Sequence, residues 1–385
     1  MMLKSQQYDE AVAELGRLAA QPDGDQLLNL MEYGTALRIS GRYQDSNQVF
    51  MQADKLADEV DYQSVSRNVM ATLGSEEMLQ YKGESYENLL VNAYLALNFM
   101  QMGQRDSAMV EVRRINDKIN RIRNNGRENY EYSPFAIYLS ALIYETNKQY
   151  DDAYIAYERT YKLDPSIPAL PRDLLRSARL ARRTDALNRW KAQFVGVTDP
   201  SESVDRSWGE LILVYEQGWG PRKAFSYQDS RYPMLVPSRS ETYGVEVALY
   251  GGRLTPDYRG KSSMVYDLEN AAITTLNADY SWMVARKVGA FVAKKVVADQ
   301  IRQKDQTLGL LADIAMQVSD RADLRNWSLL PQSIQIVRIP VPPGTYRMTI
   351  QGVDVTGQPT IDRKEEPEIL IRGGQKTFYA WRSLR

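Results

Sequence analysis

The feature that most constrains the fold is a pattern of small and large residues that recurs three times in the first half of the chain. The copies span residues 27–59, 89–116 and 134–165. In each copy, apolar or small residues follow one another at helical spacing, a turn follows at Gly41, Gly103 or Lys148, and a second helical run begins. Three copies in register predict pairs of antiparallel helices stacked into an array, because one such pair cannot bury its apolar faces alone.

The recurring positions resemble those of the tetratricopeptide repeat, in which small residues lie where two helices touch and large residues fill the gap. The residues that carry this resemblance are Leu30, Tyr33, Gly34, Leu37, Ser46, Phe50 and Ala53, then Leu95, Ala96, Phe99, Ala108, Val112 and Ile115, then Ser140, Ala141, Tyr144, Tyr150, Ala153, Tyr157 and Pro165. Such repeats recur at about 34 residues. The turn positions here lie 62 and 45 residues apart, so we expect inserted helix or loop near residues 60–83 and 118–132.

Both ends of the repeat region carry a further signal. Residues 8–15 look like the second helix of a repeat whose first helix is missing, so we expect the natural polypeptide to extend upstream. A last helical unit covers residues 171–195 and carries a basic stripe at i, i+4, i+7 and i+11. The stripe consists of Arg172, Arg176, Arg179 and Arg183. It is either a solvated face that caps the array or a contact for an acidic partner or a phosphate.

The second half of the chain changes from helical to strand-like patterns after a segment rich in turn-forming residues at 196–210. Runs enriched in β-branched and aromatic residues, bounded by glycine or proline, predict strands at 210–218, 243–252, 333–341, 345–355, 368–374 and 376–384. We therefore predict an α+β protein: a helical repeat domain over 1–195, a linker over 196–210, and an antiparallel β-sandwich-like domain over 211–385. Two helices are expected inside the β domain, at about 279–303 and 306–322.

Composition excludes several kinds of chemistry. The chain has no cysteine and no histidine, which removes thiol nucleophiles, thiolate metal sites and the side chain most used for proton transfer near neutral pH. With 48 basic and 49 acidic residues, the net charge of −1 gives no overall attraction to nucleic acid. We therefore expect no catalytic residues, no cofactor and no metal. The sequence contains no run of 18 or more apolar residues, so it predicts no membrane-spanning helix.

Three charged motifs remain to be interpreted. Gly260-Lys261-Ser262 matches the end of a phosphate-binding loop, but Thr255 stands where the first glycine is needed and Pro256 has no amide hydrogen. We interpret residues 255–263 as an exposed basic connection leading into a strand near residue 264, with Arg259 and Lys261 as contact residues. The charged segment 362–368 lacks the ligand spacing of a calcium loop and predicts a surface turn. Two carboxylate pairs, Glu210 with Glu216 and Asp267 with Glu269, predict solvent-facing strand residues in preference to acid/base catalysts.

In arrays that resemble tetratricopeptide repeats, the first helix of each pair lines a concave groove. By register, nine residues are expected to face it and to bind a peptide or helix of a partner. They are Met31, Thr35, Arg38, Ala93, Leu97, Met100, Tyr138, Leu142 and Glu145. The sequence leaves open whether another part of the same chain fills this groove.

The segments 81–116, 209–223 and 322–348 together resemble landmarks of a poorly characterised family of bacterial envelope proteins that join helical repeats to a β-rich region. The resemblance covers roughly Lys82 to Tyr346 and implies an exported, outer-membrane-anchored lipoprotein in the periplasm. This chain lacks the signal peptide and the lipidated cysteine, so the implied membrane association is through an N-terminal lipid anchor that is absent here. We expect a non-enzymatic scaffold that binds protein partners of an envelope complex. A cell-wall glycan enzyme or regulator and a cytoplasmic repeat adaptor are the alternatives.

Overall fold

The computed structural model describes residues 2–67, 80–124, 132–198, 205, 207–227, 229, 231–252, 255, 257–277 and 322–384. The first half forms nine helices within these residues. They are α1 (Tyr8–Ala19), α2 (Gln26–Ile39), α3 (Tyr43–Arg67), α4 (Ser85–Gln101), α5 (Arg105–Asn124), α6 (Pro134–Thr146), α7 (Tyr150–Leu163), α8 (Leu170–Leu180) and α9 (Thr184–Gln193). From α2 onward they form four successive helix pairs.

The turns inside these four pairs share one backbone geometry. After α2, the amide of Gly41 donates to the carbonyl of Arg38, and the next amide donates to a carbonyl five residues earlier. The same two hydrogen bonds recur after α4, α6 and α8, a pattern that ends a helix when one residue adopts the left-handed conformation. That residue is Gly41 (φ 79°), Gly103 (φ 73°), Lys148 (φ 59°) and Arg182 (φ 56°) in turn. The repeat register predicted from the sequence, with Lys148 equivalent to the two glycines, is therefore confirmed.

Close packing inside each pair follows from the small residues of the pattern. A Cβ at Gly34 would lie 2.7 Å from the ring of Phe50 on the facing helix. Ser46 on the same helix donates to the carbonyl of Gly34 at 2.8 Å. The irregular repeat spacing corresponds in part to long second helices, since α3 has 25 residues and α5 has 20, against 14 in α7.

The second half forms two four-stranded sheets and a small hairpin within the described residues. The strands are β1 (Gly209–Gln217), β2 (Arg222–Phe225), β3 (Pro233–Val236), β4 (Gly244–Tyr250), β5 (Tyr258–Lys261), β6 (Ser263–Asp267), β7 (Ser333–Val341), β8 (Gly344–Val353), β9 (Pro359–Ile371) and β10 (Lys376–Arg382). One sheet has the order β10-β1-β7-β6 and the other β5-β4-β8-β9, while β2 pairs with β3. Residues 268–277 are also helical.

The two larger sheets pack face to face. Their inner sides share a buried cluster that includes Leu211, Leu213 and Val337 from one sheet and Val247 and Ile350 from the other. The predicted α+β class with a sandwich is thus confirmed. One difference is that β1 and β10 run parallel, from Glu210 opposite Lys376 to Glu216 opposite Arg382, so the first sheet is mixed.

Two local predictions were wrong. Residues 362–368 do not form a surface turn but lie within β9, an edge strand whose exposed charges discourage pairing with another chain. Residues 258–261 form β5, so Arg259 and Lys261 lie on a strand and not in a connection, although the strand expected near residue 264 is present as β6. The helices expected at 279–303 and 306–322 fall outside the described residues, apart from the final Ala322.

The other face of the mixed sheet packs against the helical array. A single buried cluster runs from the helices into Ile212, Val214, Ile334 and Ile336 on that face. The mixed sheet is therefore buried on both sides, which explains why β1 is a nearly continuous apolar run, as strands covered on both faces generally are.

Candidate functional site

The nine residues expected to line an open groove all lie in the interior. None of them is more than 6% exposed. Three of them contact the rest of the chain directly: Thr35 meets Trp327 in the segment that precedes β7, and Arg38 and Glu145 meet Glu216 and Arg338 of the β domain. The concave side of the helical array is therefore occupied within this chain, and these residues are not available to a separate partner in this arrangement.

Trp327 is the centre of the contact at the first repeat. Its indole Nε1 donates to Thr35 Oγ1 at 3.0 Å, and its backbone amide donates to Glu87 Oε1 at 3.1 Å. The indole ring packs against Phe50 and Tyr94, with ring centroids 6.0 and 5.8 Å away. An aromatic side chain with its N–H satisfied thus fills the space that a partner's side chain would need.

Glu32 holds the same segment through three hydrogen bonds. Its Oε1 accepts from the amide and the hydroxyl of Ser328 at 2.7 Å each, and its Oε2 accepts from the amide of Leu329 at 3.1 Å. Burial nevertheless raises the pKa of Glu32 to about 7, since the hydrogen bonds only partly offset desolvation and nearby Glu87 adds repulsion. We therefore expect the attachment of this segment to depend on pH near neutrality.

Arg338 on β7 forms the second contact, with the third and fourth helix pairs. It pairs with Glu145 at 3.1 Å, with Asp173 at 3.1 Å and with Glu210 at 2.7 Å. Arg176 and Lys376 complete the network by pairing with Glu145 at 3.1 and 3.0 Å. Three cations thus balance three carboxylates, which is the condition under which buried charges are tolerated.

The carboxylates of this network are poor candidates for acid/base catalysis. Burial alone would raise the pKa of Glu210, but Arg338 and Lys376 outweigh it and lower the pKa to about 2. Burial is likewise outweighed at Glu145, where Arg176 and Arg338 hold the pKa well below its usual range. Since a general acid needs a pKa near the working pH, neither group can supply a proton at neutral pH.

This ion network forms the floor of a large cleft between the end of the helical array and the mixed sheet. The cleft has a volume of about 1160 Å³. Its described lining holds eight lysines and arginines against four carboxylates. The floor is balanced, so the excess positive charge belongs to the rim, which consists of Lys148, Arg172, Arg179, Arg182 and Lys261, with Asp205 as the opposing charge. We call these five cations the rim cations.

The structure brings together basic residues that the sequence placed in separate motifs. Arg172, Arg176 and Arg179 of the predicted stripe line the cleft together with Lys261. Arg176 belongs to the floor, whereas Arg172 and Lys261 are exposed. Lys261 pairs with Glu246 at 2.7 Å, a contact of limited strength because the lysine side chain is 80% exposed.

The two other predicted basic contacts lie elsewhere. Arg183 follows the end of α8, so it leaves the stripe and pairs with Asp151 at 2.5 Å, its guanidinium 4.8 Å from the centre of the Tyr154 ring. Arg259 is exposed on β5 and is not part of the cleft lining.

Lys148 and Arg182 are the two rim cations that were not expected as contact residues from the sequence. Both sit at helix-pair turns in the left-handed conformation, which favours glycine and strains other residues. The comparison of the three repeat copies already pointed to Lys148, because it replaces glycine at a turn position. In the two pairs nearest the cleft, cations thus occupy positions that are glycines in the first two pairs.

The glycine of the apparent phosphate loop has a packing role. A Cβ at Gly260 would lie 2.7 Å from Val337 Cγ1 and 2.8 Å from Ile339 Cγ1, on the inner side of the sandwich. The glycine therefore allows close contact between sheets, and its neighbour Lys261 reaches the cleft rim.

The carboxylates of the two pairs lie in different surroundings. Glu210 binds Arg338 at the cleft, whereas Glu216, at the other end of β1, is fully buried between Arg38 and Arg382. Neither Glu210 nor Glu216 is solvent-facing, contrary to the prediction, because the helical array covers this face of the sheet. Asp267 accepts from the amide of Asn270 at 2.9 Å and so begins the helical segment at 268–277.

Comparisons with known proteins show a limited structural similarity. No known protein family matches the chain, and no curated protein matches it. A crystal structure of MamA is 14% identical and aligns over 50% of this chain and 89% of that chain, with a TM-score of 0.33. The MamA fragment from residue 41 to the end, from Desulfovibrio magneticus RS-1, is 18% identical over 53% of this chain and 91% of its own length, also at 0.33. Similarity at this level carries no functional assignment. Within the described residues, no helix has the length and apolar character needed to cross a membrane.

Proposed function

We propose that the protein is a non-enzymatic scaffold that binds an acidic segment of a protein partner in the cleft lined by the rim cations. The observation that carries this proposal is the charge of the cleft, with eight cations against four carboxylates in a chain whose net charge is −1. A positive cleft in a neutral protein attracts anionic groups and repels cationic ones.

The size of the cleft favours a chain segment as the ligand. A volume of about 1160 Å³ exceeds the range of about 300–1,000 Å³ that is common for small-molecule pockets. The floor of the cleft carries no excess charge, because its three carboxylates and three cations already pair with each other. Acidic side chains of an extended segment would therefore meet the rim cations while its backbone crosses the cleft.

We further propose that this partner belongs to a bacterial envelope complex and that the native protein is a periplasmic lipoprotein anchored to the outer membrane. The support for this location is the sequence resemblance described above. The proposal predicts that the native protein fractionates with outer membranes and is released when its lipid anchor is removed. Recovery in the cytoplasmic fraction would leave the cytoplasmic adaptor as the better interpretation.

The binding proposal is tested with a fluorescently labelled peptide of alternating glutamate and serine. The wild-type protein should bind it, and affinity should fall as salt rises, because exposed charges are screened beyond about 10 Å at 0.1 M ionic strength. A peptide of alternating lysine and serine should not bind. Arg172→Gln removes one exposed rim cation and should weaken binding by about 1 kcal/mol, or roughly fivefold in Kd.

Arg113→Gln is the matched control, since Arg113 is an exposed arginine on α5, outside the cleft lining. It should leave peptide affinity unchanged. Equal losses in Arg172→Gln and Arg113→Gln would mean that the peptide responds to overall charge and that the cleft is not the site. For the native partner, co-purification followed by mass spectrometry should recover a protein from wild type and from Arg113→Gln that is depleted from Arg172→Gln.

A further inference from the structure

A second positively charged cavity lies on another part of the molecule, between α2, the start of the chain and the end of β10. Its volume is about 520 Å³. Arg38 and Arg382 form part of its inner wall, and Lys4, Arg363 and Lys364 line it as well. The carboxylate in its described lining is Asp362, which is buried and accepts from Thr242 Oγ1 at 2.7 Å and Ser383 Oγ at 2.5 Å.

The inner wall carries an unbalanced charge. Arg38 and Arg382 both pair with Glu216, and the side chains of all three are at most 3% exposed. Two guanidinium groups thus share one carboxylate, which leaves one positive charge in excess away from water. Burial lowers the pKa of Arg382, against the attraction of Glu216. Such an excess is costly unless an anion compensates for it.

The same group of side chains has more unmet hydrogen-bond donors than acceptors. Among the described residues, Arg38 Nε, Arg382 Nη2 and the Tyr94 hydroxyl are buried without a hydrogen-bond partner, and so is the acceptor Glu216 Oε1, although it lies against Arg38 in the ion pair. Tyr94 belongs to this group because the Arg38 guanidinium lies 4.6 Å from the centre of its ring. Arg38 Nε, Arg382 Nη2 and the Tyr94 hydroxyl can each donate a hydrogen bond, and an unmade hydrogen bond to a charged donor costs more than one to a neutral donor. The site therefore lacks one negative charge, and its three unmet donors outnumber its one unmet acceptor.

We propose that this cavity binds a small oxyanion, a carboxylate or phosphate group, against Arg38 and Arg382. An oxyanion supplies the two things that the site lacks, since its oxygens accept several hydrogen bonds and it carries negative charge. Guanidinium groups suit such ligands because their planar N–H groups match the spacing of the oxygens. Lys4 and Lys364 are exposed and attract the anion to the opening.

The test is isothermal titration calorimetry of the whole chain with sodium phosphate and with sodium acetate, at constant ionic strength maintained with sodium chloride. Binding of phosphate alone assigns the site to phosphate groups, and binding of acetate assigns it to carboxylates. The absence of binding by both would overturn the proposal, because water would then suffice to satisfy the buried donors.

Arg382→Met locates the binding. This variant leaves Arg38 and Glu216 as a balanced pair, so it should fold, as checked by circular dichroism, and should lose oxyanion binding. Lys364→Gln keeps the buried group intact and should weaken binding roughly fivefold, the effect of about 1 kcal/mol for one exposed charge. Lys364→Gln therefore tests whether the oxyanion binds in this cavity even if Arg382→Met does not fold.

Arg172→Gln separates this site from the cleft. It should leave oxyanion binding unchanged while it weakens binding of the acidic peptide. If Arg172→Gln instead abolished phosphate binding and Lys364→Gln had no effect, the anion would be bound at the rim cations and the proposed site would be refuted. The two sites can therefore fail independently.

Discussion

Glu32 should make the stability of this protein fall as the pH rises through neutrality. Its carboxylate is buried beside the segment that fills the concave face, and burial raises its pKa from 4.5 to about 7. Between these two values the folded state holds a proton that the unfolded state has released. Because stability falls with pH wherever the folded state binds more protons, the loss begins above the unfolded pKa and is complete above the folded one.

The size of the effect follows from the difference between the two pKa values. A shift from 4.5 to about 7 corresponds to about 3 kcal/mol at about 1.4 kcal/mol per unit. This loss is a substantial part of the stability of about 5–15 kcal/mol that is typical of folded proteins. Burial also raises the pKa of the neighbouring Glu87, so its contribution has the same sign.

The assay is urea unfolding of wild type and Glu32→Gln over a pH series from below the unfolded pKa to above the folded one. Glutamine keeps a carbonyl oxygen for the Ser328 amide but does not titrate. The free energy of unfolding of wild type relative to Glu32→Gln should decrease by about 3 kcal/mol across the series. Glu59→Gln makes the same chemical change at an exposed position on α3 and should give a profile parallel to wild type.

A constant difference in the free energy of unfolding between wild type and Glu32→Gln at all pH values would contradict this prediction. It would mean that Glu32 titrates alike in both states and that the segment around Ser328 is not held by a buried carboxylate. A difference that increases with pH would also refute it, because it would require the hydrogen bonds to outweigh burial.

Three further changes test the contacts that position the cleft and the sheets. Trp327→Ala should lower the free energy of unfolding by about 3–5 kcal/mol, because it removes a fully buried ring from the concave face; a loss below about 1 kcal/mol in urea unfolding would show that this face is not closed by Trp327. Gly260→Ala should lower the free energy of unfolding by about 1–3 kcal/mol, since its Cβ would lie 2.7 Å from Val337. Gly344→Ala should lower it less in the same assay, because its Cβ would lie 3.5 Å from the nearest atom, in the Tyr346 ring. Lys148→Gly should raise the melting temperature by relieving a left-handed lysine, worth about 1 kcal/mol, while it weakens acidic-peptide binding; a drop in stability would contradict the assignment of strain.

The helical array could be predicted from the sequence because its signal is local. Contacts within one helix pair join residues a dozen positions apart, as Ser46 and Gly34 show, so the pattern of small and large residues records them directly. Five of the six longest strands, β1, β4, β7, β8 and β10, were also predicted from their apolar and β-branched runs. Only the last four residues of β9 fall within the strand expected at 368–374. Of the short strands, β6 was expected near residue 264, whereas β2, β3 and β5 were missed, since runs of four residues such as β5, which contains a glycine, give too little pattern.

The candidate site could not be predicted because its contacts join distant parts of the chain. Trp327 meets Thr35 across 292 residues, and Arg338 meets Glu145 across 193. The nine expected groove residues are all buried, and helical periodicity does not show what covers them. The basic stripe failed at Arg183 for a local reason, since α8 ends at Leu180 and the fourth arginine lies beyond the helix.

Closure of the concave face has a consequence for where partners bind. The surface that helical repeats offer to a ligand is here covered by Trp327, Glu216 and Arg338 of the same chain. The cleft at the end of the array is the larger of the two recesses described above. Lys148 and Arg182 occupy strained left-handed positions that glycine fills in the first two pairs, and they add like charges to a rim that is already positive. Strained residues often occur at functional sites, so both features support the proposed binding of an acidic partner.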